Sequence, residues 1–145
     1  MSAARLYTPE LLALAVELAD HPPLALATAS ARGEARSPTC GSTLALDLAL
    51  DEQRQIVALG LKVQACAVGQ AAAAIFARHA AGRDAAEIDA SLAAIERWLG
   101  GEGERPGWAD LALLEPARGL TARQGAILLP WRAALVALDA PVPAS

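Results

Sequence analysis

The chain has 145 residues, of which 54% are hydrophobic and only 3% are aromatic, so its apolar content comes mostly from Ala, Leu and Val. This composition excludes a disordered chain and predicts one domain, residues 1–145, with a core of small, closely packed side chains. The formal net charge of −4 argues against nucleic acid as the main partner, because phosphate contacts need a basic face.

The compartment can also be predicted from the sequence. No apolar stretch of about 18 residues is free of charges, so no membrane span is expected. Pro9 and Glu10 interrupt the apolar core that a signal peptide would need at the N-terminus. We therefore expect a cytoplasmic protein, in which cysteines are more often reduced thiols or metal ligands than structural disulfides.

A helix is predicted near the start of the chain. Thr8, Pro9 and Glu10 supply an N-cap residue, a proline in the first turn and an acidic side chain near the positive end of the helix. Apolar residues then recur at helical spacing, at Leu11, Leu14, Ala15 and Leu18. The two prolines in residues 21–23 end this helix.

Three strands are predicted after this helix. The first lies within residues 24–37, with residues 33–37 as its better-supported position, and Pro38 and Gly41 then interrupt the chain. In the second strand, Leu44, Leu46, Leu48 and Leu50 alternate with smaller or polar residues, the period of a strand with one buried face. After a polar turn at residues 51–54, the third strand returns along residues 55–64, with Val57, Leu59, Leu61 and Val63 predicted on one face. The last two strands therefore form an antiparallel hairpin.

Helices are predicted for the rest of the chain. One begins at Cys66 and stops before Gly82, and the next follows the cap residue Asp84 and ends before residues 100–101. A single helical turn is expected in residues 108–114, a last helix from about residues 125–126 with Pro130 in its first turn, and a loose tail at residues 140–145. This order predicts an α+β fold: an N-terminal helix, a small three-stranded antiparallel sheet, and helices packed on one face of the sheet.

The two cysteines of the chain flank the predicted hairpin. Cys40 precedes its first strand and Cys66 follows its second, so we expect them to be neighbours although 26 residues separate them. Cys66 also stands at a helix N-terminus, where unpaired N–H groups and the helix dipole favour the thiolate that binds metals and attacks sulfur. Taken alone, two such cysteines are better explained as small apolar residues that pack in a core.

Three segments resemble motifs of the U-type iron–sulfur scaffold family, which comprises IscU, SufU and the N-terminal domain of NifU. They read P-T-C-G-S at residues 38–42, C-A-V-G-Q-A at residues 66–71 and A-R-Q-G-A-I-L-L-P-W at residues 122–131. The family shows N-P-x-C-G-D, then G-C-A-I-S-x-A-S about 26 residues later, then A-R-x-K-C-A-T-L-x-W. The long insert at residues 84–119 is similar to that of the SufU branch, and the resemblance covers nearly the whole chain.

The family holds its metal or nascent cluster with three cysteines and an aspartate, and this chain departs from that set. Cys40 and Cys66 occupy the first two cysteine positions. Ser42 stands in place of the aspartate and Ala126 in place of the third cysteine, with Thr121 there in a rival register. Neither replacement is a thiolate, whereas structural zinc and a [2Fe–2S] cluster normally take four ligands, so one chain should bind metal weakly.

The resemblance implies a scaffold and not an enzyme, with Cys40 and Cys66 as metal ligands and Ser42, Arg123 and Ala126 as residues that line the site. Arg123 matches an arginine of the third motif, and its alternative is a solvated residue at a helix start. The bound group would be iron or a [2Fe–2S] cluster, with zinc or an empty site as alternatives. The implied partners are a cysteine desulfurase or a second copy of the chain, and the other hypotheses are a metal-free interaction protein and a persulfide-accepting sulfur carrier.

Overall fold

A computed structural model describes residues 8–25, 28–38 and 41–139. Within these residues the chain forms an α+β fold, which confirms the predicted class. Its elements, in chain order, are α1 (Pro9–Glu17), a 3₁₀ helix (Leu18–Asp20), β1 (Ala31–Arg36), β2 (Thr43–Leu50), β3 (Ile56–Gln64), α2 (Ala67–His79), α3 (Ala85–Leu99), a second 3₁₀ helix (Leu111–Ala117) and α4 (Thr121–Asp139).

The three strands form one antiparallel sheet in the order β1-β2-β3. Thr43 lies opposite Arg36 on one side and Gln64 on the other, so the end of β1, the start of β2 and the end of β3 share one end of the sheet. The predicted hairpin of β2 and β3 is therefore confirmed. The first strand begins two residues earlier than predicted and ends before Ser37.

The alternation of leucines in β2 places one face of the sheet against the helices. Leu44, Leu46 and Leu48 are buried, and α4 packs across β1 and β2. Gly33 in β1 allows this close contact, because a Cβ atom there would lie 2.1 Å from the carbonyl oxygen of Ala133 in α4. The core also contains an unbroken run of fully buried alanines, Ala71 to Ala74 in α2, as the composition predicted.

The opposite face of the sheet is partly covered by residues 21–24. The amide of Leu61 donates to the carbonyl of His21 at the outer edge of β3, and the amide of Leu24 donates to the Asp47 carboxylate on this face. Gly60 lies directly beneath this segment, since a Cβ atom there would lie 2.3 Å from the carbonyl oxygen of Pro22.

The structure corrects the predicted alternation at the start of β3. Ala49 pairs with Ala58 and Leu50 pairs with Ile56, so Val57 is an extra residue in a β-bulge. The bulge turns Ile56 into the core and leaves Val57 57% exposed, whereas simple alternation placed Val57 on the same face as Leu59 and Leu61.

The last helix begins at Thr121, earlier than predicted, and Pro130 lies inside it. The side chain of Gln124 holds its first turn by donating to the carbonyl oxygens of Leu99 and Arg118. Pro130 removes one backbone hydrogen bond, and the burial of the helix against the sheet and α2 offsets that loss. The predicted turn at residues 108–114 is a 3₁₀ helix that begins and ends three residues later.

Three aromatic rings meet in the core between α2 and α4. Phe76 stacks on Trp108 at 5.5 Å between ring centroids, and Trp131 meets both rings edge-on at 5.6 and 5.2 Å. Because Trp108 precedes the second 3₁₀ helix, the cluster ties this segment to both helices.

Among the described residues, no helix is both long and apolar enough to cross a membrane. The single domain of residues 1–145 stays a prediction, and the predicted tail at residues 140–145 lies outside the described residues.

Candidate functional site

Cys66 is the N-cap residue of α2, as the sequence predicted. Its extended backbone turns the chain from β3 into the helix, and the Cys66 carbonyl accepts the first helical hydrogen bond, from the amide of Gln70. The side chain of Cys66 is half-buried and makes no capping hydrogen bond. The thiol is therefore placed at a helix start without being used to stabilise that start.

The residues around Cys66 fix its backbone without using its sulfur. The Gln70 side chain reaches back from the first turn and donates to the carbonyl of Ala65 at 2.8 Å. This bond satisfies a carbonyl group immediately before the helix, so the backbone on both sides of Cys66 is held by Gln70. The sequence gives no signal for this role, because Gln is common at exposed positions in helices.

The connection between β1 and β2 lies at the same end of the sheet. The amide of Ser37 donates to the carbonyl of Ser42 at 2.8 Å, and the amide of Gly41 donates to the carbonyl of Ser37 at 2.9 Å. Gly41 has a φ of +73°, in the left-handed region that glycine adopts without strain. Cys40 itself lies outside the described residues, so its predicted proximity to Cys66 stays a prediction.

Ser42 is 6% exposed and enters β2 at the end of the sheet that leads to Cys66. Its neighbour in the connection, Ser37, is fully buried. Two serines in a buried position beside a predicted metal site offer hydroxyl groups, which are poor metal ligands while protonated. The structure therefore places Ser42 at the end of the sheet that leads to Cys66, and its part in the site stays a prediction.

Ala126 is fully buried where α4 crosses the first turn of α2. A Cβ atom added at Gly69, three residues after Cys66, would lie 3.2 Å from the Cβ of Ala126. Helices α2 and α4 therefore meet closely beside the start of α2. Arg123, which is half-buried, lies in the first turn of α4 and donates its amide to the carbonyl of Leu120.

Among the described residues, no three Cys, His, Asp or Glu side chains are grouped closely enough to hold a metal ion. His79 is the last residue of α2, at the opposite end of the helix from Cys66, and its Nε2 lies 2.8 Å from the Asp110 carboxylate. The described part of the site thus offers one sulfur, and a complete ligand set needs atoms from elsewhere.

A cleft of about 290 Å³ lies between the β1–β2 connection, the end of α3 and α4. Its walls include Ser37 and Pro38, which precede the loop position of Cys40, and Gly125, which precedes Ala126. Leu99 and Leu128 line its apolar part. No pattern in the sequence predicted this cleft, because residues from three distant segments form it.

No protein-family model and no curated protein sequence matches the chain. Solved structures do match it. The N-terminal part of a NifU-like protein from Brucella abortus is 30% identical, with a TM-score of 0.80 over 90% of each chain.

Two other structures show the same fold at lower identity. The SUF-system iron–sulfur cluster assembly scaffold protein of Fervidobacterium islandicum AW-1 is 19% identical, with a TM-score of 0.76 over 95% of this chain and 100% of that one. A protein without an assigned function is 20% identical, with a TM-score of 0.69 over 90% of this chain and 98% of that one.

The resemblance seen in the three motifs is thus matched by the fold and by 30% identity along nine-tenths of the chain. The chain therefore belongs to the U-type scaffold family, together with the N-terminal domains of NifU-like proteins.

Proposed function

We propose that this protein is a scaffold for iron–sulfur cluster assembly, which holds iron, sulfide or a nascent cluster at Cys66 and Cys40 and catalyses no reaction of its own. The observation that carries the proposal is the position of Cys66 at the start of α2, with a side chain that makes no capping bond. The structural relatives named above support the scaffold role, since the 30% identical one is a NifU-like protein and another is named as an iron–sulfur cluster assembly scaffold.

The proposed site needs ligands from outside the chain. A [2Fe–2S] cluster normally takes four thiolates and structural zinc takes four ligands, whereas this chain has two cysteines. Fully buried Ala126 offers no ligand atom at the third cysteine position. We therefore infer that a cysteine desulfurase or a second copy of the chain completes the shell.

The cleft beside Gly125 supports this inference, because its walls include the two residues that precede the loop position of Cys40. It opens between the connection that leads to Cys40 and the residue before Ala126. A side chain from a partner could enter there and supply the ligand that the family's third cysteine supplies in other members.

Anaerobic reconstitution with ferrous iron and sulfide tests this proposal. We expect bound iron and visible absorbance in the wild-type protein, more strongly when a cysteine desulfurase with its substrate cysteine is present. Cys66→Ser and Cys40→Ser should each lose the signal, whereas the control Ala93→Ser, at an exposed position of α3, should keep it. No bound iron in the wild type, with and without the desulfurase, would exclude the scaffold role and leave a metal-free interaction protein.

A second candidate is a sulfur carrier, and the lack of a three-residue ligand group in the described chain favours it. Sulfur transfer needs only one thiol: the Cys66 thiolate attacks the outer sulfur of a desulfurase persulfide, and the desulfurase thiolate leaves. The reaction is an exchange between two sulfur atoms and needs no outside oxidant. Intact-mass measurement after incubation with desulfurase and cysteine should show one added sulfur atom on Cys66, and an unchanged mass would exclude this candidate.

A further inference from the structure

Strand β1 leaves one edge of the sheet open in the part of the chain that the structure describes. β1 pairs only with β2, and the bond from the Ser37 amide to Ser42 fixes which residues face β2. In an antiparallel strand, the backbone N–H and C=O groups of successive residues point alternately to the two neighbouring sides. Ala31, Gly33 and Ala35 therefore direct their backbone groups toward β2. The amides and carbonyls of Arg32, Glu34 and Arg36 consequently point away from the sheet.

The opposite edge of the sheet, formed by β3, makes backbone hydrogen bonds with other segments of the chain. On β3, the Leu61 amide donates to His21, the Ile56 amide donates to Arg83, and the Ile56 carbonyl accepts from Gly82, at 2.7 to 2.9 Å. Within the described ranges, no comparable backbone bond reaches the outer edge of β1. β1 also contains no proline and no bulge, which are two common means of preventing strand pairing.

The side chains of the open strand carry charges of alternating sign. Arg32, Glu34 and Arg36 are exposed on the same face. Arg32 forms an ion pair with Asp47 of β2 at 3.0 Å. Glu34 and Arg36 form no ion pair with any residue that the structure describes, so their charges are available to a neighbouring strand.

We propose that β1 pairs in antiparallel fashion with β1 of a second copy, around a two-fold axis at Ala35, to give a continuous six-stranded sheet. In this register Glu34 of each copy lies opposite Arg36 of the other, and both residues direct their backbone groups across the interface. Opposite charges in directly facing positions stabilise such pairs.

Other registers agree less well with the charges. An axis at Glu34 would place Arg32 opposite Arg36 and Glu34 opposite itself, so every facing pair would be of like charge. An axis at Gly33 would place Glu34 opposite Arg32, whose guanidinium already forms an ion pair with Asp47. All three axes keep the outward-pointing backbone N–H and C=O groups opposite each other. Among them, the charge pattern favours the axis at Ala35.

This dimer is independent of the proposed metal site. Cys66 follows β3, and five strand spacings of about 4.8 Å separate β3 of one copy from β3 of the other, so the two Cys66 sites lie at least about 24 Å apart. A dimer through β1 cannot pool its sulfur atoms around one cluster. The two proposals can thus fail separately.

Sedimentation of the full chain over a range of concentrations, at low salt, tests the dimer. Pairing one short strand buries less than a standard interface, so we expect a dimer that dissociates in the micromolar range or above. Glu34→Arg and Arg36→Glu should each raise the dissociation constant about tenfold or more, because each creates two like-charge pairs. The double variant Glu34→Arg/Arg36→Glu restores pairs of opposite charge, so its dissociation constant should lie within about threefold of the wild-type value.

Control variants separate this pairing from a general effect of charge. Glu52→Arg in the β2–β3 turn and Arg97→Glu on α3 make the same charge changes at exposed positions away from β1 and should not alter the dissociation constant. In the wild type, exchange of the Glu34 and Arg36 amides should slow as the concentration rises. A wild-type chain that stays monomeric throughout, or single variants that dimerise as well as the controls, would overturn the proposal.

Discussion

Three helices of this chain begin with three different cap residues. The Thr8 hydroxyl accepts from the Leu11 amide at the start of α1, and the Asp84 carboxylate accepts from the Glu87 amide at the start of α3. The Cys66 side chain accepts no such hydrogen bond at the start of α2. Since a Ser, Thr, Asp or Asn at this position stabilises a helix, a cysteine here gives up stability that another residue would provide.

Cys66→Ser should therefore stabilise the metal-free protein by roughly 1 kcal/mol, because serine can accept a bond from the amide of the first turn. Urea unfolding of the apo forms measures this gain. The same variant should lose bound iron, so stability and iron binding should change in opposite directions. Cys66→Ala serves as the control, since it should lose iron without becoming more stable. A serine variant that is no more stable than wild type would contradict this reading of the position.

Ala126→Cys should restore part of the missing ligand set. The Ala126 side chain faces Gly69 in the first turn of α2, so a thiol there would lie in the α2–α4 interface near Cys66. We expect more iron per chain after anaerobic reconstitution, at a cost of about 1–3 kcal/mol from overpacking. Ala137→Cys is the matched control, because it adds a thiol at an equally buried position of α4 whose side chain faces Gly33 of β1 instead. Equal iron contents in the two variants would refute the assignment.

The sequence predicted the place of Cys66 and not its surroundings. A strand period that changes to a helix is visible in consecutive residues, so the cysteine at the junction could be located. The contact between Gly69 and Ala126 joins residues that are far apart in the chain, and it depends on how two helices pack. Local patterns carry no information about such a contact.

At the scale of whole elements, the strands and helices were predictable where one face is buried. The leucines of β2 and the cap residue of α3 gave correct positions, because burial and capping act within a few residues. The start of α4 was predicted too late, since the rule that places proline in a first turn was outweighed by the burial of this helix. The bulge at Val57 was missed because it depends on pairing with β2.

Gly33→Ala tests how closely α4 packs on the sheet. The added methyl group would lie 2.1 Å from the Ala133 carbonyl and 2.7 Å from the Ala137 amide, and both are backbone atoms that cannot rotate away. We expect a loss of about 3 kcal/mol or more, or failure to fold. Gly107→Ala is the control, because nothing lies within 4 Å of its added methyl group. Similar unfolding midpoints for the two variants would show that α4 packs less closely than described.

At the scale of the whole molecule, an ion-pair cluster joins three segments. Arg78 near the end of α2 binds Glu17 of α1 through two nitrogens, at 2.6 and 2.8 Å, and Asp110 at 3.1 Å. The Arg78 hydrogen bond lowers the pKa of Glu17, and hydrogen bonds from His79 and Arg78 lower the pKa of Asp110. No sequence pattern predicted this cluster, because 61 and 32 residues separate Arg78 from these partners.

These shifts predict how stability depends on pH. A carboxyl group whose pKa is lower in the folded state contributes stability above its unfolded pKa, near 4, and loses it as the pH falls through the folded pKa. Arg78→Gln should therefore destabilise the protein by about 1 kcal/mol at pH 7 and by progressively less below about pH 4.

Urea unfolding at several pH values measures that difference. Arg105→Gln is the control, because its single exposed contact with Glu115 at 3.4 Å should contribute little at any pH. A difference between wild type and Arg78→Gln that stays constant from pH 7 to pH 3 would contradict the role of the two carboxylates.

The aromatic cluster of Phe76, Trp108 and Trp131 also gives the molecule an optical probe of its own. Two of its rings belong to α2 and α4, the helices that meet beside Cys66. Indole fluorescence responds to the packing and polarity around the ring, so a ligand that shifts α2 against α4 will change the emission of Trp108 and Trp131. Loading of the site can then be followed by titration, without attaching a dye to either cysteine.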